Sequence, residues 1–215
     1  MIRRFAFVAL ALSMSSVALA QAPAGWQMRL DRSANASDPD KTPEVKFTQM
    51  GPGFHVTSGP AAVLWSSKNT ASGRYTLKGT FHLMQPSGHV NYYGLVFGGG
   101  DLEGQNQSYL YFLVGQNGAY IVKHRSGDVT HEVKAVTSHI AIAKPDNTGK
   151  SVNNLEVRVD TNKIDYVVNG VLVHSTPKSG MSARTDGLWG VRIIHMLDVQ
   201  VEKLGPVGPV GGVTK

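Results

Sequence analysis

The chain has 215 residues, with 21 Lys and Arg against 15 Asp and Glu, a formal charge of +6. The positives are scattered, which excludes the clustered basic face that nucleic-acid binding needs. There is no cysteine, so thiol catalysis, cysteine metal sites and disulfides are excluded, and packing and strand pairing alone must hold the fold.

Met1-Ile2-Arg3-Arg4 is cationic, Phe5 to Leu12 is unbroken apolar sequence, and small residues lead into Ala18-Leu19-Ala20. That order predicts a cleaved signal peptide over residues 1–20 and an exported protein, periplasmic or extracellular. Spanning a bilayer takes about 20 apolar residues, and Ser13, Ser15 and Ser16 interrupt this run, so no integral membrane segment is expected after cleavage. Cleavage removes two basic residues and no acidic one, leaving 195 residues with a charge of +4. A chain of that size can bury a proper core, and one domain is expected over 21–204.

Residues 31–43, rich in Asp, Ser, Asn and Pro, read as a long surface loop. The body then breaks into short β-branched and aromatic runs separated by turn residues. Strands are expected at 45–50, 54–57, 61–65, 73–83, 90–98, 108–114, 119–125, 129–136, 152–159, 163–168, 171–175, 187–194 and 197–204. No helical stripe of useful length interrupts them, so the fold class is all-β, a sandwich or barrel.

Residues 153–175 specify their own register. A two-residue loop at Thr161-Asn162 sets Val159 against Ile164, Val157 against Tyr166 and Leu155 against Val168. Asn169-Gly170 is a type I′ turn signal, because both positions need positive φ. It sets Val171 against Val168 and Val173 against Tyr166, with Glu156, Arg158, Asp165 and His174 on the opposite face. Arg158 and Asp165 are then cross-strand neighbours, with His174 beside Asp165. Leu197, Val199 and Val201 alternate with Asp198, Gln200 and Glu202, the pattern of a half-buried antiparallel strand. Residues 205–215, rich in Gly, Pro and Val, read as a flexible tail.

The run Asn154-Leu155-Glu156-Val157-Arg158-Val159, the hairpin Ile164 to Val173 around Asn169-Gly170, and Gly187-Leu188-Trp189-Gly190-Val191 resemble concanavalin A-like lectin/glucanase domains. More narrowly they are similar to laminin-G-like jelly rolls and to 3-keto-disaccharide hydrolase-type domains of secreted bacterial proteins. Tyr93 to Gly98, Tyr109 to Val114 and Gly118 to Lys123 fit the middle strands of the same family. The resemblance covers roughly residues 54–204 and implies a two-sheet antiparallel jelly-roll sandwich. It also implies a glycan-type ligand on the concave sheet, and assigns no catalytic residue.

Direct tests for chemistry fail. Glucanases of this fold carry E-x-D-x-x-E on one strand, which aims a nucleophile and an acid about 5 Å apart into one cleft. None of Glu44, Glu103, Glu132, Glu156 and Glu202 begins that pattern. His131-Glu132-Val133-Lys134-Ala135 lacks the second histidine of a zinc helix. Asp38-Pro39-Asp40 does not continue as a calcium loop, and Asp101-Leu102-Glu103-Gly104 reads as a polar turn rather than a calcium site. Gly98-Gly99-Gly100 follows a strand with no helix to hold phosphate. No metal site and no cofactor is expected.

Aromatic and hydrogen-bonding side chains suited to sugars remain, because sugars present apolar faces to rings and hydroxyls to planar polar groups. Trp65 belongs to this group, and the candidate ligand-binding residues are Tyr93, Tyr111, Lys123, Arg125, Trp189, Arg192 and His195. Arg192 stands mid-strand among apolar residues, where an unpaired charge is costly, so it must meet water, a carboxylate or a ligand. Lys123 and Arg125 share one strand phase, as do Tyr109 and Tyr111. Tyr111, Arg125, Arg192 and His195 are therefore expected to converge on the concave sheet. The sequence reads as an exported carbohydrate-binding module for a glycan or cell-envelope polymer. The alternatives are a glycoside-acting hydrolase of the 3-keto-disaccharide type and a structural domain without a small ligand.

Overall fold

The computed structural model describes residues 22–31 and 44–208. The expected signal peptide over 1–20, residues 32–43 of the expected surface loop, and residues 209–215 of the expected tail lie outside the described residues. Fourteen strands make up the described structure: β1 (Trp26–Asp31), β2 (Lys46–Met50), β3 (Gly53–Thr57), β4 (Ala61–Ala71), β5 (Tyr75–Gln85), β6 (Tyr92–Gly100) and β7 (Ser108–Gly115), then β8 (Ala119–Ser126), β9 (Val129–Ser138), β10 (Ser151–Val159), β11 (Lys163–Val168), β12 (Val171–Pro177), β13 (Gly187–Ile193) and β14 (Asp198–Val207). One 3₁₀ turn, Gly180–Ser182, precedes β13. The strands form two antiparallel seven-stranded sheets, ordered β1-β4-β13-β6-β7-β8-β9 and β12-β11-β10-β5-β14-β3-β2. The fold is the expected two-sheet jelly-roll sandwich.

Alternation builds the second sheet. Along β10, Ser151, Asn153, Leu155, Val157 and Val159 are buried while the residues between them reach water. Leu77, Phe81 and Leu83 of β5, Ile164 and Tyr166 of β11, and Val199 and Val201 of β14 join them between the sheets. Phe112 lies 5.1 Å, ring centre to ring centre, from Tyr166 across this layer. Strands β6 and β7 are buried on both faces, and they read as continuous apolar runs rather than alternating ones.

The 153–175 hairpins follow the expected register at Leu155↔Val168, Val157↔Tyr166, Arg158↔Asp165 and Val159↔Ile164. Asn169 and Gly170 hold φ of 51° and 82°, as a type I′ turn requires. One step departs from expectation. A bulge between Tyr166 and Val167 leaves Val171 opposite Val168 but puts His174, not Val173, opposite Tyr166, and Ser175 opposite Asp165. His174 thereby stacks on Tyr166 at 5.9 Å instead of lying beside Asp165. The register neighbours Arg158 and Asp165 each choose a partner on their own strand, Glu156 at 2.7 Å and Lys163 at 2.7 Å.

Two boundaries also need correction. Residues 26–31 form a strand on the edge of the first sheet, so Asp31 belongs to β1 and not to a loop. At the other end, Gly205, Pro206 and Val207 pair with Lys78, Leu77 and Thr76 of β5, so the part of the tail described is strand. A register shift between Glu202 and Gly205 carries the chain back into pairing.

Candidate functional site

The outward faces of the two sheets differ in kind. That of the second sheet is polar and its charges are matched, as in Lys78 with Glu156 at 3.1 Å and His82 with Glu202 at 3.7 Å. That of the first sheet carries an apolar cluster of its own. Val63 and Trp65 come from β4, Val96 from β6, Tyr109, Tyr111 and Leu113 from β7, and Ile121 from β8, with Leu102 added from the β6–β7 connection.

Arg192 of β13 lies in the middle of this face and is 7% exposed. Its Nη1 meets the Asp31 carboxylate and donates to the Tyr109 hydroxyl at 2.8 Å. Its guanidinium carbon sits 5.4 Å from the centre of the Tyr111 ring, a cation–π contact. Asp31 also faces Arg29 Nε at 3.4 Å. One nitrogen is thus shared by side chains from β1 and β7, which are four strand positions apart in the sheet. In a flat sheet that separation is about 19 Å, more than an aspartate and a tyrosine span with two hydrogen bonds between them. The sheet must curl toward this side, which is therefore its concave face.

The electrostatics follow from the enclosure. Burial pushes the Tyr109 hydroxyl up to about 12, against the pull of Arg192. Burial likewise raises Tyr111, partly offset by Arg192. Burial opposes the charge on Arg192 itself, but Tyr109 and Asp31 outweigh it and hold the guanidinium above its ordinary value. The floor is thus a buried, charge-compensated layer.

Toward β9 the face opens. Tyr109 pairs with Arg125 and Tyr111 with Lys123 across β7 and β8, and Lys123 pairs with Glu132 of β9. Lys123 and Arg125 are half-buried, while Thr130 and Glu132 are exposed. Arg125 is held by Gly127 O at 2.7 Å and Thr130 Oγ1 at 3.3 Å.

Of the seven candidate residues, Tyr111, Lys123, Arg125 and Arg192 occupy this face. Tyr93 and Trp189 do not: both lie in the core between the sheets, where Tyr93 accepts a hydrogen bond from Asn153 Nδ2 at 3.1 Å. Strand phase gives the reason, since Trp189 is an odd number of residues from Arg192 and so points the other way. His195 follows β13 and packs its ring on His89 of the β5–β6 connection at 5.6 Å. Sequence reasoning missed Asp31 and Arg29. Their signal was the alternation of Trp26, Met28 and Leu30 with Gln27, Arg29 and Asp31. Among the described residues, no group of three or more His, Asp or Glu is arranged to hold a metal ion.

No family model and no curated protein matches the chain. Solved structures do. The carbohydrate binding module CBM66 from Bacillus subtilis superimposes with a TM-score of 0.60 at 11% identity, covering 86% of this chain and 96% of that one. The carbohydrate recognition domain of Emp47p gives 0.54 at 14% identity, over 87% and 90%. A Bacteroides ovatus mixed linkage glucan GH16 protein gives 0.53 at 8% identity, over 82% and 92%. Fold, topology and these likenesses agree, and the chain shares the two-sheet antiparallel jelly-roll sandwich fold of these structures.

Proposed function

We propose that the protein is an exported, lectin-like carbohydrate-binding module without catalytic activity, and that it holds a glycan or cell-envelope polymer on the concave face of the first sheet. The observation that carries this reading is the contrast between the two outward faces. One is a solvated, charge-matched surface, whereas the other gathers Trp65, Tyr109 and Tyr111 with cations at its open side. The three rings are themselves buried and form the floor of the face, while the half-buried Lys123 and Arg125 at its open side offer donors to the hydroxyls or acidic groups of a sugar. Two of the structural neighbours are named for carbohydrate binding or recognition, which supports the same assignment. Export rests on the charged, apolar and small-residue order of residues 1–20.

A glycoside-cleaving enzyme is the weaker reading. Cleavage uses two carboxylates facing one bond. Among the described residues, the carboxylate on this floor, Asp31, meets two guanidinium groups and not a second carboxylate. The test is a glycan array probed with residues 21–215, run beside a product assay on each bound oligosaccharide. Binding without turnover is expected. A correctly folded protein that binds nothing on arrays of neutral and anionic glycans overturns the assignment, and turnover overturns its non-catalytic part.

A further inference from the structure

We propose that residues 101–106 of the connection between β6 and β7 form a lid across the concave floor, and that the amide of Gln107, at the foot of that connection, is a ligand-recognising group which the lid uncovers. The proposal rests on the concave face being the binding surface.

Three observations carry it. First, the connection leaves β6 but is fastened to β1, three strand positions away, a distance of about 14 Å. Gln27 Nε2 donates to Glu103 Oε1 at 2.5 Å, and Arg29 Nη1 donates to Gly104 O at 2.6 Å. To make those contacts the segment crosses the face above β13 and β4, and it drops Leu102 into the apolar floor.

Second, closing the segment leaves an uncompensated group beneath it. Gln107 is fully buried, and neither its amide nitrogen nor its amide oxygen has a hydrogen-bond partner. It stands one residue before β7. Ser108 beside it faces inward, with its hydroxyl 3.1 Å from His124 Nε2, so Gln107 takes the same phase as Tyr109 and Tyr111. A buried primary amide without partners bears the full desolvation cost of both a donor and an acceptor. Arg192 Nε, on the same floor, is also buried without a partner.

Third, the fastening is weak by comparison. The Gln27–Glu103 bond is exposed and the Arg29–Gly104 bond only part-buried, so water replaces them at little cost when they break. The closed state therefore combines surface latches that open cheaply and the burial of Leu102, which opening must reverse, with a buried amide that gains partners on opening. A glycan hydroxyl, at once donor and acceptor, matches a planar amide, and the opened floor offers Tyr109 and Tyr111 beside it. The closed lid lowers the apparent affinity by the fraction of molecules that are open.

The experiment has three arms. Gln107→Met replaces the amide with an apolar group of similar shape and should raise the melting temperature while cutting retention on the array oligosaccharides at least tenfold. A lowered melting temperature means that the amide is already satisfied, and it overturns the proposal. So does unchanged retention where the wild type binds. Gln27→Ala/Glu103→Ala removes the side-chain latch and should speed hydrogen exchange of the 101–106 amides severalfold, leaving β10 and β11 unchanged. Unchanged exchange in 101–106 overturns the lid. If the wild-type protein binds no glycan, the binding assignment fails, whereas the melting and exchange arms still decide between lid and fixed loop.

Discussion

Arg192 of β13 and Asp31 of β1 form a nearly buried ion pair across the intervening strand β4. Arg192 is thus a structural post of the concave floor before it is anything else. Removing one partner of such a pair costs about 3–5 kcal/mol, because the other charge is left buried. Arg192→Ala should lower the melting temperature by roughly 6–20 °C for a chain of this length. An apolar replacement of both partners, Asp31→Leu with Arg192→Met, should recover part of that loss. Thermal melts of the three proteins decide it. An Arg192→Ala melt within two degrees of wild type overturns the structural role.

Asn169 is a junction as well as a turn residue. Its Oδ1 accepts from Asn154 N at 2.8 Å, and its Nδ2 donates to Ala141 O at 2.8 Å and to Asn153 Oδ1 at 3.0 Å. The side chain therefore ties β10 and the β9–β10 connection to the hairpin. Asn169→Ala should cost about 1–3 kcal/mol through the polar groups it leaves unpaired. Gly170, at φ 82°, resists a β-branched side chain, so Gly170→Val should destabilise at least as much. Denaturant midpoints measure both, and a Gly170→Val midpoint equal to wild type contradicts the turn geometry.

These two cases mark what the sequence could and could not show. The hairpin register was legible because Asn169-Gly170 and the 155–159 alternation are local signals that agree. The bulge at Tyr166 was not, since it arises where His174 finds a ring to stack on. Arg192 announced itself as a charge in an apolar strand and needed a partner. The partner stayed hidden because β1 runs into a polar stretch that masked its alternation. Tyr93 and Trp189 could have been excluded by counting phase along β6 and β13. The convergence of Asp31, Arg192 and Tyr109 depends on sheet curvature, which no local pattern encodes.

Acid should loosen the β9–β12 side of the sandwich. His124 is held below the ordinary histidine value by burial and by His131, and His174 by burial and by Lys134. A depressed folded-state value means that the unfolded chain binds more protons, so stability is lost as pH falls below about 6.5. The carboxylates Glu156 and Asp165, held low by Arg158 and Lys78 and by Lys163 and Ser175 despite burial that raises them, add their loss only in a lower window, below the ordinary carboxylate value. Melting temperatures at pH 7.5 and 5.5 should show a drop for wild type and a smaller one for His124→Gln/His174→Gln. Equal drops remove these two histidines as the cause.

Lys123 separates binding from folding most cleanly. It lies on the open side of the concave face, half-buried, between Tyr111 of β7 and Glu132 of β9 in the register. Among the described residues its ammonium enters no ion pair within 4.0 Å, unlike Arg192, so truncation leaves no buried charge behind. Lys123→Ala should change stability by no more than about 0.5 kcal/mol, as surface substitutions do. A hydrogen bond from a charged donor to a ligand is worth about 1.5–3 kcal/mol, so affinity for the strongest oligosaccharide on the array should fall tenfold or more. Titration calorimetry of wild type and variant, with melts alongside, reads both quantities. An unchanged affinity in a folded Lys123→Ala protein moves the ligand away from the β8–β9 side of this face, and with it the reading that the cations there recognise the glycan.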